Sequence, residues 1–529
     1  MNDCRSVALH TTLLAGNLPA FLGISVKQAS SPARSSDRSK TIGLSAPIAR
    51  KAMLSLDQTG TPYLDALMEY VQAGTVSFHT PGHKHGVGMH ERLRDFIGEN
   101  VLKLDLTQVR GLDDLHAPHG PIQEAQELAA AAYGADCSYF LVNGSTAGNQ
   151  AMLMAALRPG DSVLLPRNSH KSATSALIMS GGTPVYIRPE VDGALHIDHC
   201  VTPATVSLAL EAHPDVTAVF ITSPTYYGAT ADLAAIERIV HERNKLLLVD
   251  EAWGPHLHFH EELPLSATSA GADMCVNSTH KLIAGMSQAA MLHTCGPRVD
   301  QGRLRSTLRL LQSTSPLLVM LASLDVARMQ MATEGRELLS QALSLARHAR
   351  QRLNTIQGIR CIGREQIGKP GVAGYDETRI VITVKDLGYT GYEASEILRT
   401  QFDVQVELAD LYNIVALVTI GDRQHDLDRL VNAVEELSKA SHREQRKPGN
   451  GIARRLLNID SELPKIPEQV MTPREAFLAD HVEIPFSTSA GHVSAEVVTP
   501  YPPGIPILCP GERISQETVD YLRLELEAG

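Results

Sequence analysis

From Cys137 to about Thr294 the chain alternates short apolar runs of strand length with longer stretches in which apolar residues recur at helical spacing. "SYFLV" gives way to a glycine-containing turn and the helix-like "NQAMLMAAL", "DSVLL" to "SHKSATSALIMS", and "TAVFITSP" to "ADLAAIERIVHERN"; "KLLLVDEAW" and "DMCVNSTHK" follow. Nearly continuous apolar runs separated by helices predict a largely parallel sheet covered on both faces. Ligands bind such sheets beyond the carboxyl ends of the strands, so residues that close a run are candidates for chemistry. After "QSTSP" a long helical pattern begins at Pro316, with Ser315 as its cap, and continues through "LLVMLASLDVARMQMATEGRELLSQALSLARHARQRL". Residues 378–422 then read strand, helix, strand, strand, the order of a small α+β domain. The basic "SKASHREQRKPGNGIARR" reads as a linker, and a third unit ends in "TPYPPGIPILCPGE". The expected fold class is α/β with a mostly parallel sheet. A leader covers 1–53, an N-terminal arm and major domain 54–315, and a connecting helix with the small α+β domain 316–440. A linker over 441–456 precedes a C-terminal α+β domain over 457–529.

Composition adjusts this picture only at the margins. With 43% hydrophobic and 20% charged residues, the 529-residue chain has ordinary globular usage and enough length for two or three domains. The formal charge of −12 argues against a nucleic-acid surface. No run approaches the length of a membrane span. The seven cysteines are scattered without a paired spacing, which points to a reducing compartment. The stretch "VKQASSPARSSDRSKTIGLSAPIARKAML" is rich in serine, alanine and basic residues with Asp37 as its lone acid. It reads either as an organelle transit peptide or as a disordered extension of a cytoplasmic protein.

The chemistry concentrates at run ends. Lys281 follows the short strand "ADMCV" with Ser278, Thr279 and His280 before it, an unusual setting for a residue that is ordinarily solvated. Asp250 closes "KLLLVD", so the two can converge as an acid and a base at neighbouring strand ends. "VNGSTAGNQAML" adds a strand, a turn and a helix start, where backbone N–H groups and the hydroxyls of Ser145 and Thr146 would hold a phosphate. Together they point to pyridoxal phosphate: a lysine to carry the cofactor, an aspartate to keep its pyridine nitrogen protonated, and a helix start for its phosphate. His170, just beyond "SVLL", is placed to stack on the ring.

"TPGHKHG", "GLDDLHAP", "NGSTAGNQ", "PRNSHKS", "DEAWGPH", "NSTHKL" and "AEVVTPYPPGIPILCPGE" occur in one order from Leu54 to the C-terminus. In this the chain resembles the ornithine/lysine/arginine decarboxylase family of fold-type-I pyridoxal-phosphate enzymes, in its shorter form without an N-terminal wing domain. The resemblance implies a decarboxylase of a basic amino acid, with arginine ranked ahead of lysine and ornithine, yielding a polyamine-pathway amine and carbon dioxide. It makes Lys281 the cofactor-bearing residue, Asp250 the partner of the pyridine nitrogen and His170 the stacking imidazole. Ser145, Thr146, Ser278 and His280 fall in the phosphate and active-site positions, with Trp253 after the aspartate. His280 is a candidate for returning a proton to Cα. An aminotransferase or aldolase on the same scaffold, or an inactive regulatory relative, is the alternative. The resemblance also implies a homodimer in which Ser313 or Thr314 of "LLQSTSP" reaches the partner's phosphate.

Two departures stand out: Ala147 where relatives often keep a hydroxyl, and Leu317 and Leu318 where many carry a serine and a tyrosine. A basic substrate needs a carboxylate for its cationic end, and Glu496 before the proline-rich turn is the candidate, a surface glutamate being the alternative. His256, His258 and His260 of "HLHFH" would share a face on a strand and could ligate a metal, but no metal is expected, since the segment follows Asp250 directly. "GVGMHE" lacks the third glycine of a dinucleotide loop. "TPGHKHG" either lines the site or braces the arm.

Overall fold

In the computed structural model, which describes residues 56–443, 465–499 and 505–528, the apolar runs become the strands of one sheet. These are β1 (Cys137–Leu141), β2 (Ser162–Pro166), β3 (Thr183–Ile187), β6 (Ala218–Thr222), β8 (Leu246–Asp250), β9 (Met274–Asn277) and β10 (Ala290–Thr294), in the order β1-β10-β9-β8-β6-β2-β3. The pairs β2–β3, β2–β6, β6–β8 and β8–β9 are parallel, while β10 runs antiparallel to β1 and β9.

The pleat explains the unbroken apolar runs. Val163, Leu165, Ala218, Phe220, Leu248, Met274 and Val276 face a core formed with the helices Gly144–Ala156, Lys171–Ser180 and Gln301–Leu311. The intervening Leu164, Val219, Ile221, Leu247, Val249 and Cys275 face the helices Pro203–Ala212, Leu233–Glu242 and Ala267–Ala270. Both faces are therefore buried, and each strand needs apolar residues at consecutive positions. The same parity fixes the chemistry. Thr222, Asp250 and Ser278 continue the series of Phe220, Leu248 and Val276, so all three emerge on the face covered by the helix Gly144–Ala156.

Minor pairs complete this half: β4 (Val191–Asp192) with β5 (Ile197–Asp198), and β7 (Ala229–Thr230) with β12 (Gly374–Tyr375). The small domain is a four-stranded antiparallel sheet, ordered β11 (Arg360–Cys361), β13 (Arg379–Thr383), β15 (Asn413–Leu417), β14 (Leu408–Ala409). The helices Gly391–Phe402 and Gln424–Arg443 and the far end of the long helix cover it in a separate core.

Three local expectations change. The long helix spans Leu318–Leu353 with Leu317 at its cap, two residues later than the proline suggests; Ser315 donates its N–H to Ser313 Oγ, a turn that keeps it out of the helix. The stretch "SKASHR" is the last part of the helix Gln424–Arg443, where Ser438 and Ser441 are buried and their hydroxyls cap the carbonyls of Gln357 and Leu387. Its remainder, like the leader over 1–53 and residues 500–504, lies outside the described residues. "HLHFH" forms a short 3-10 turn, Leu257–Phe259, so its histidines diverge: His256 meets Asp376, His258 meets Ser266 and Ser269, and His260 meets Ser340. No helix among the described residues is long and apolar enough to cross a membrane.

Candidate active site

Four strand ends and one helix start meet on the covered face. Asp250 is buried, accepting from Asn149 Nδ2 at 2.8 Å and from the Ala252 N–H at 3.1 Å. Beside it in register, Thr222 carries a buried hydroxyl without a hydrogen-bond partner. On the other side, β9 ends at Asn277, whose amide donates to both the carbonyl and the carboxylate of Glu251 at 3.0 Å, tying the strand ends that carry Asp250 and Lys281. Burial pushes the Glu251 carboxyl up to about 8, so it sits there as a neutral acid.

Lys281 is partly buried in the short helix Thr279–Leu282, and its Nζ lies 3.7 Å from the centroid of the Trp253 ring. Desolvation lowers the amine to about 8; Asp250 opposes that shift, Arg379 adds to it, and Glu407 opposes it. The indole is itself held between Tyr226, edge-on at 5.4 Å, and the buried Arg379, whose guanidinium lies 5.0 Å from the ring and donates to the Trp253 carbonyl at 2.7 Å. His280 is tied back: Nδ1 lies 2.9 Å from the Ala289 carbonyl and must donate to it, leaving the Nε2 lone pair on a ring whose pKa burial lowers.

The helix start lies opposite. Ser278 donates to Ser145 Oγ at 2.7 Å, joining the strand end to the first turn, while Ser145 and Thr146 remain accessible. The first N–H groups of a helix lack internal acceptors, and here Asn143 supplies no side-chain cap. The turn before it is pinned by Gln312, which accepts from the Val142 N–H at 2.8 Å, and by Gln288, which donates to the Val142 carbonyl at 2.7 Å. Gly148 lets the helix press onto the sheet, since a Cβ there would meet Val276 Cγ2 at 2.4 Å. Ala147 is buried, so the side chain at that position points inward. Ser313 and Thr314 are exposed, and the Ser313 N–H reaches Asn143 of this same chain at 3.3 Å, beside its own helix start.

These residues fit pyridoxal phosphate. They offer a desolvated amine, a buried carboxylate for the pyridine nitrogen, an orphaned hydroxyl beside it, the His170 imidazole linked to that carboxylate through Ser172 and Asn149, and a helix start with accessible hydroxyls for the phosphate. Glu496 does not join them. It is exposed and makes no ion pair among the described residues, its N–H bonding Ser494 Oγ. The C-terminal segment docks instead through Glu512, which holds Arg167 just before His170. The further acid whose charge acts on Lys281 is Glu407, at the edge of β14. Sequence reasoning missed Asn149, Ser172, Arg379 and Glu407. Asn149 and Ser172 stood inside motifs already singled out, but Arg379 and Glu407 carry no local signal.

The remaining motifs make local contacts of their own. Asp113 of "GLDDLHAP" is buried with φ 63° and accepts from the N–H groups of Asp114, His119, Gly120 and Ile122, capping the helix Pro121–Ala132. In "TPGHKHG", His83 pairs with Asp105 at 3.0 Å and Lys84 bonds the His79 carbonyl, bracing the arm.

The family model described as Orn/Lys/Arg decarboxylase, major domain, matches residues 61–426, and that of its C-terminal domain matches residues 459–529. An arginine decarboxylase of Bacillus anthracis is 44% identical over 477 residues, covering 90% of this chain and 95% of that protein. An arginine decarboxylase of Bacillus subtilis is 44% identical over 474 residues, with the same coverage. Among solved structures, the Francisella novicida lysine decarboxylase LdcF superposes with a TM-score of 0.78 at 24% identity, covering 89% of this chain and 78% of that one.

Proposed function

The chain belongs to the Orn/Lys/Arg decarboxylase family and is an amino-acid decarboxylase; we propose that its substrate is arginine and that the cluster around Lys281 carries the reaction. Pyridoxal phosphate, when bound, supplies an electron-accepting ring into which the electrons of the Cα–carboxylate bond can pass as carbon dioxide leaves. Lys281 would hold the cofactor through its amine, and desolvation raises the neutral, nucleophilic fraction of that amine near pH 8. The Asp250 carboxylate, held by Asn149, would stabilise a proton on the pyridine nitrogen. His170 would lie against the cofactor's ring, Ser145, Thr146 and Ser278 would hold its phosphate, and Trp253 would wall the pocket.

For the proton that returns to Cα, Lys281 is better suited than His280. An amine titrating near 8 is largely protonated at neutral pH, whereas burial keeps the His280 ring neutral. The cationic end of the substrate pairs with Glu407, the further acid that faces Lys281 and Arg379. Arginine comes first because the relatives at 44% identity bear that name. The bacterial origin of those relatives favours a cytoplasmic protein over an organelle enzyme. A homodimer belongs to this reading as well, and sedimentation of active protein tests it, an active monomer counting against it.

The observation that carries the reading is the desolvated Lys281 amine between two acids and over an indole face. The test offers arginine, lysine and ornithine to the cofactor-loaded protein and identifies the amine formed. Agmatine supports the proposal. Cadaverine or putrescine overturns the substrate, and keto-acid formation without carbon dioxide overturns the role of the cluster.

A further inference from the structure

The buried polar groups beneath the site form a single chain whose link from Asn149 through Ser172 to His170 the roles above do not use. Asn149 sits in the helix Gly144–Ala156, almost fully buried, and its Nδ2 lies 2.8 Å from Asp250 Oδ2 and 2.9 Å from Ser172 Oγ. An ionised carboxylate only accepts, so the Asn149 atom facing it must be the amide nitrogen, and the same nitrogen donates its second hydrogen to Ser172. With a lone pair engaged by that donor, the Ser172 hydroxyl turns its own hydrogen to the acceptor within reach, His170 Nδ1 at 2.9 Å. The backbone N–H of Ser172 also points at His170 Nδ1, at 3.2 Å, as His170 caps its helix. Two donors facing one ring nitrogen leave no room for a proton on it.

We infer that Asn149 and Ser172 are positioning residues: the chain from Asp250 through Asn149 and Ser172 to His170 holds the imidazole as its neutral tautomer with the proton on Nε2, while it orients the carboxylate of Asp250. The inference rests on the reading of His170 and Asp250 as cofactor contacts. Its consequence there is electrostatic: a cationic imidazole on a ring that Asp250 keeps protonated would set two like charges in contact, and the chain prevents it. Ser172 stands in the first turn of its helix, where alanine would keep the backbone N–H bond to His170 Nδ1 and lose only the hydroxyl.

Three charges face the His170 ring: Asp250 favours its protonation, while Lys281 and Lys171 oppose it, and burial exceeds each of them in lowering its pKa. Ser172→Ala leaves all three in place and removes the hydroxyl donor alone. Asn149→Leu removes the donor to Ser172 Oγ, so that oxygen becomes free to accept from the ring.

The experiment is a long-range proton–nitrogen correlation spectrum of histidine-labelled protein, with His170 assigned by its loss in His170→Gln, recorded with and without pyridoxal phosphate. The wild type should show an unprotonated Nδ1 and a protonated Nε2 at neutral pH in both states. Ser172→Ala, which keeps the backbone donor, and Asn149→Leu should each weaken that single-tautomer signature and raise the pH at which the ring titrates, whereas Ser172→Thr should keep the wild-type pattern. A cationic ring or an Nδ1–H tautomer in the wild type overturns the inference, as does an unchanged tautomer in both variants. The spectrum of the protein without cofactor is independent of turnover, so a failure of the decarboxylase reading would appear separately.

Discussion

Removing the Glu512 carboxylate should release the C-terminal segment from the loop that carries His170. Glu512 is fully buried and holds Arg167 through Oε1–Nη1 at 2.5 Å and Oε2–Nη2 at 2.8 Å, and its Oε2 also accepts from the Cys509 N–H at 2.7 Å. Arg167 bonds the Ile507 carbonyl at 2.7 Å and lies 4.7 Å from the centroid of the Tyr186 ring. Burial pushes the Glu512 carboxyl up, and Arg167 pulls it back towards ionisation. Glu512→Ala leaves the guanidinium without a counter-charge there, with the Ile507 carbonyl, the Cys509 sulfur and the Tyr186 ring, and breaking a buried pair from one side costs about 3–5 kcal/mol. At about 1.4 kcal/mol per decade, local opening should rise by two orders of magnitude or more. Hydrogen exchange of peptides covering 165–180 and 505–523 reads this directly. Arg167→Met combined with Glu512→Ala should recover most of the protection, because no charge remains buried without a partner. Exchange within a few-fold of wild type in Glu512→Ala, or a double variant worse than either single one, would refute the reasoning.

Three further outcomes follow from the site. Lys281 in the cofactor-free protein titrates near 8 against an ordinary 10.5, so the unfolded chain binds this proton between those values and the folded chain does not. Stability therefore rises with pH across that window, and Lys281→Met should stabilise the cofactor-free protein at pH 7 by about 1–3 kcal/mol, a gain that shrinks at pH 10; a lower melting temperature for the variant at pH 7 would contradict this. Asp250→Asn should keep the cofactor, seen in the visible spectrum, and lose about a hundredfold or more in kcat, whereas near-normal turnover would make the carboxylate structural. Glu407→Gln should raise KM for arginine by about tenfold or more with kcat nearly unchanged, since it removes a charge contact made equally before and during reaction; an unchanged KM would remove Glu407 from the substrate pocket.

Much of the site was legible because parallel strands bring their ends to one edge. An apolar run closing on Asp250, and another on "NSTHK", could be read as neighbours without knowing the strand order. What the sequence hides is parity and distance. Thr222, Asp250 and Ser278 share a face through the pleat, and Asn149 meets them because Gly148 lets its helix sit close, a packing relation that no spacing along the chain encodes. Glu407 comes from the small domain, more than a hundred residues beyond Lys281 in the chain. Glu496 was the more visible acid because it stands in a motif, yet that motif is anchored by Glu512 on Arg167 while Glu496 itself is exposed. "HLHFH" misleads for a related reason: alternation suggests a strand, but Gly254 and Pro255 begin a tight turn straight after β8.

The most direct test of the account follows carbon dioxide and amine together from carboxyl-labelled arginine, for wild type and Lys281→Ala, with and without added pyridoxal phosphate. The account predicts equimolar labelled carbon dioxide and agmatine from the wild type, dependent on the cofactor and absent in Lys281→Ala. Arginine consumed without labelled carbon dioxide, or turnover that survives in Lys281→Ala, would contradict it.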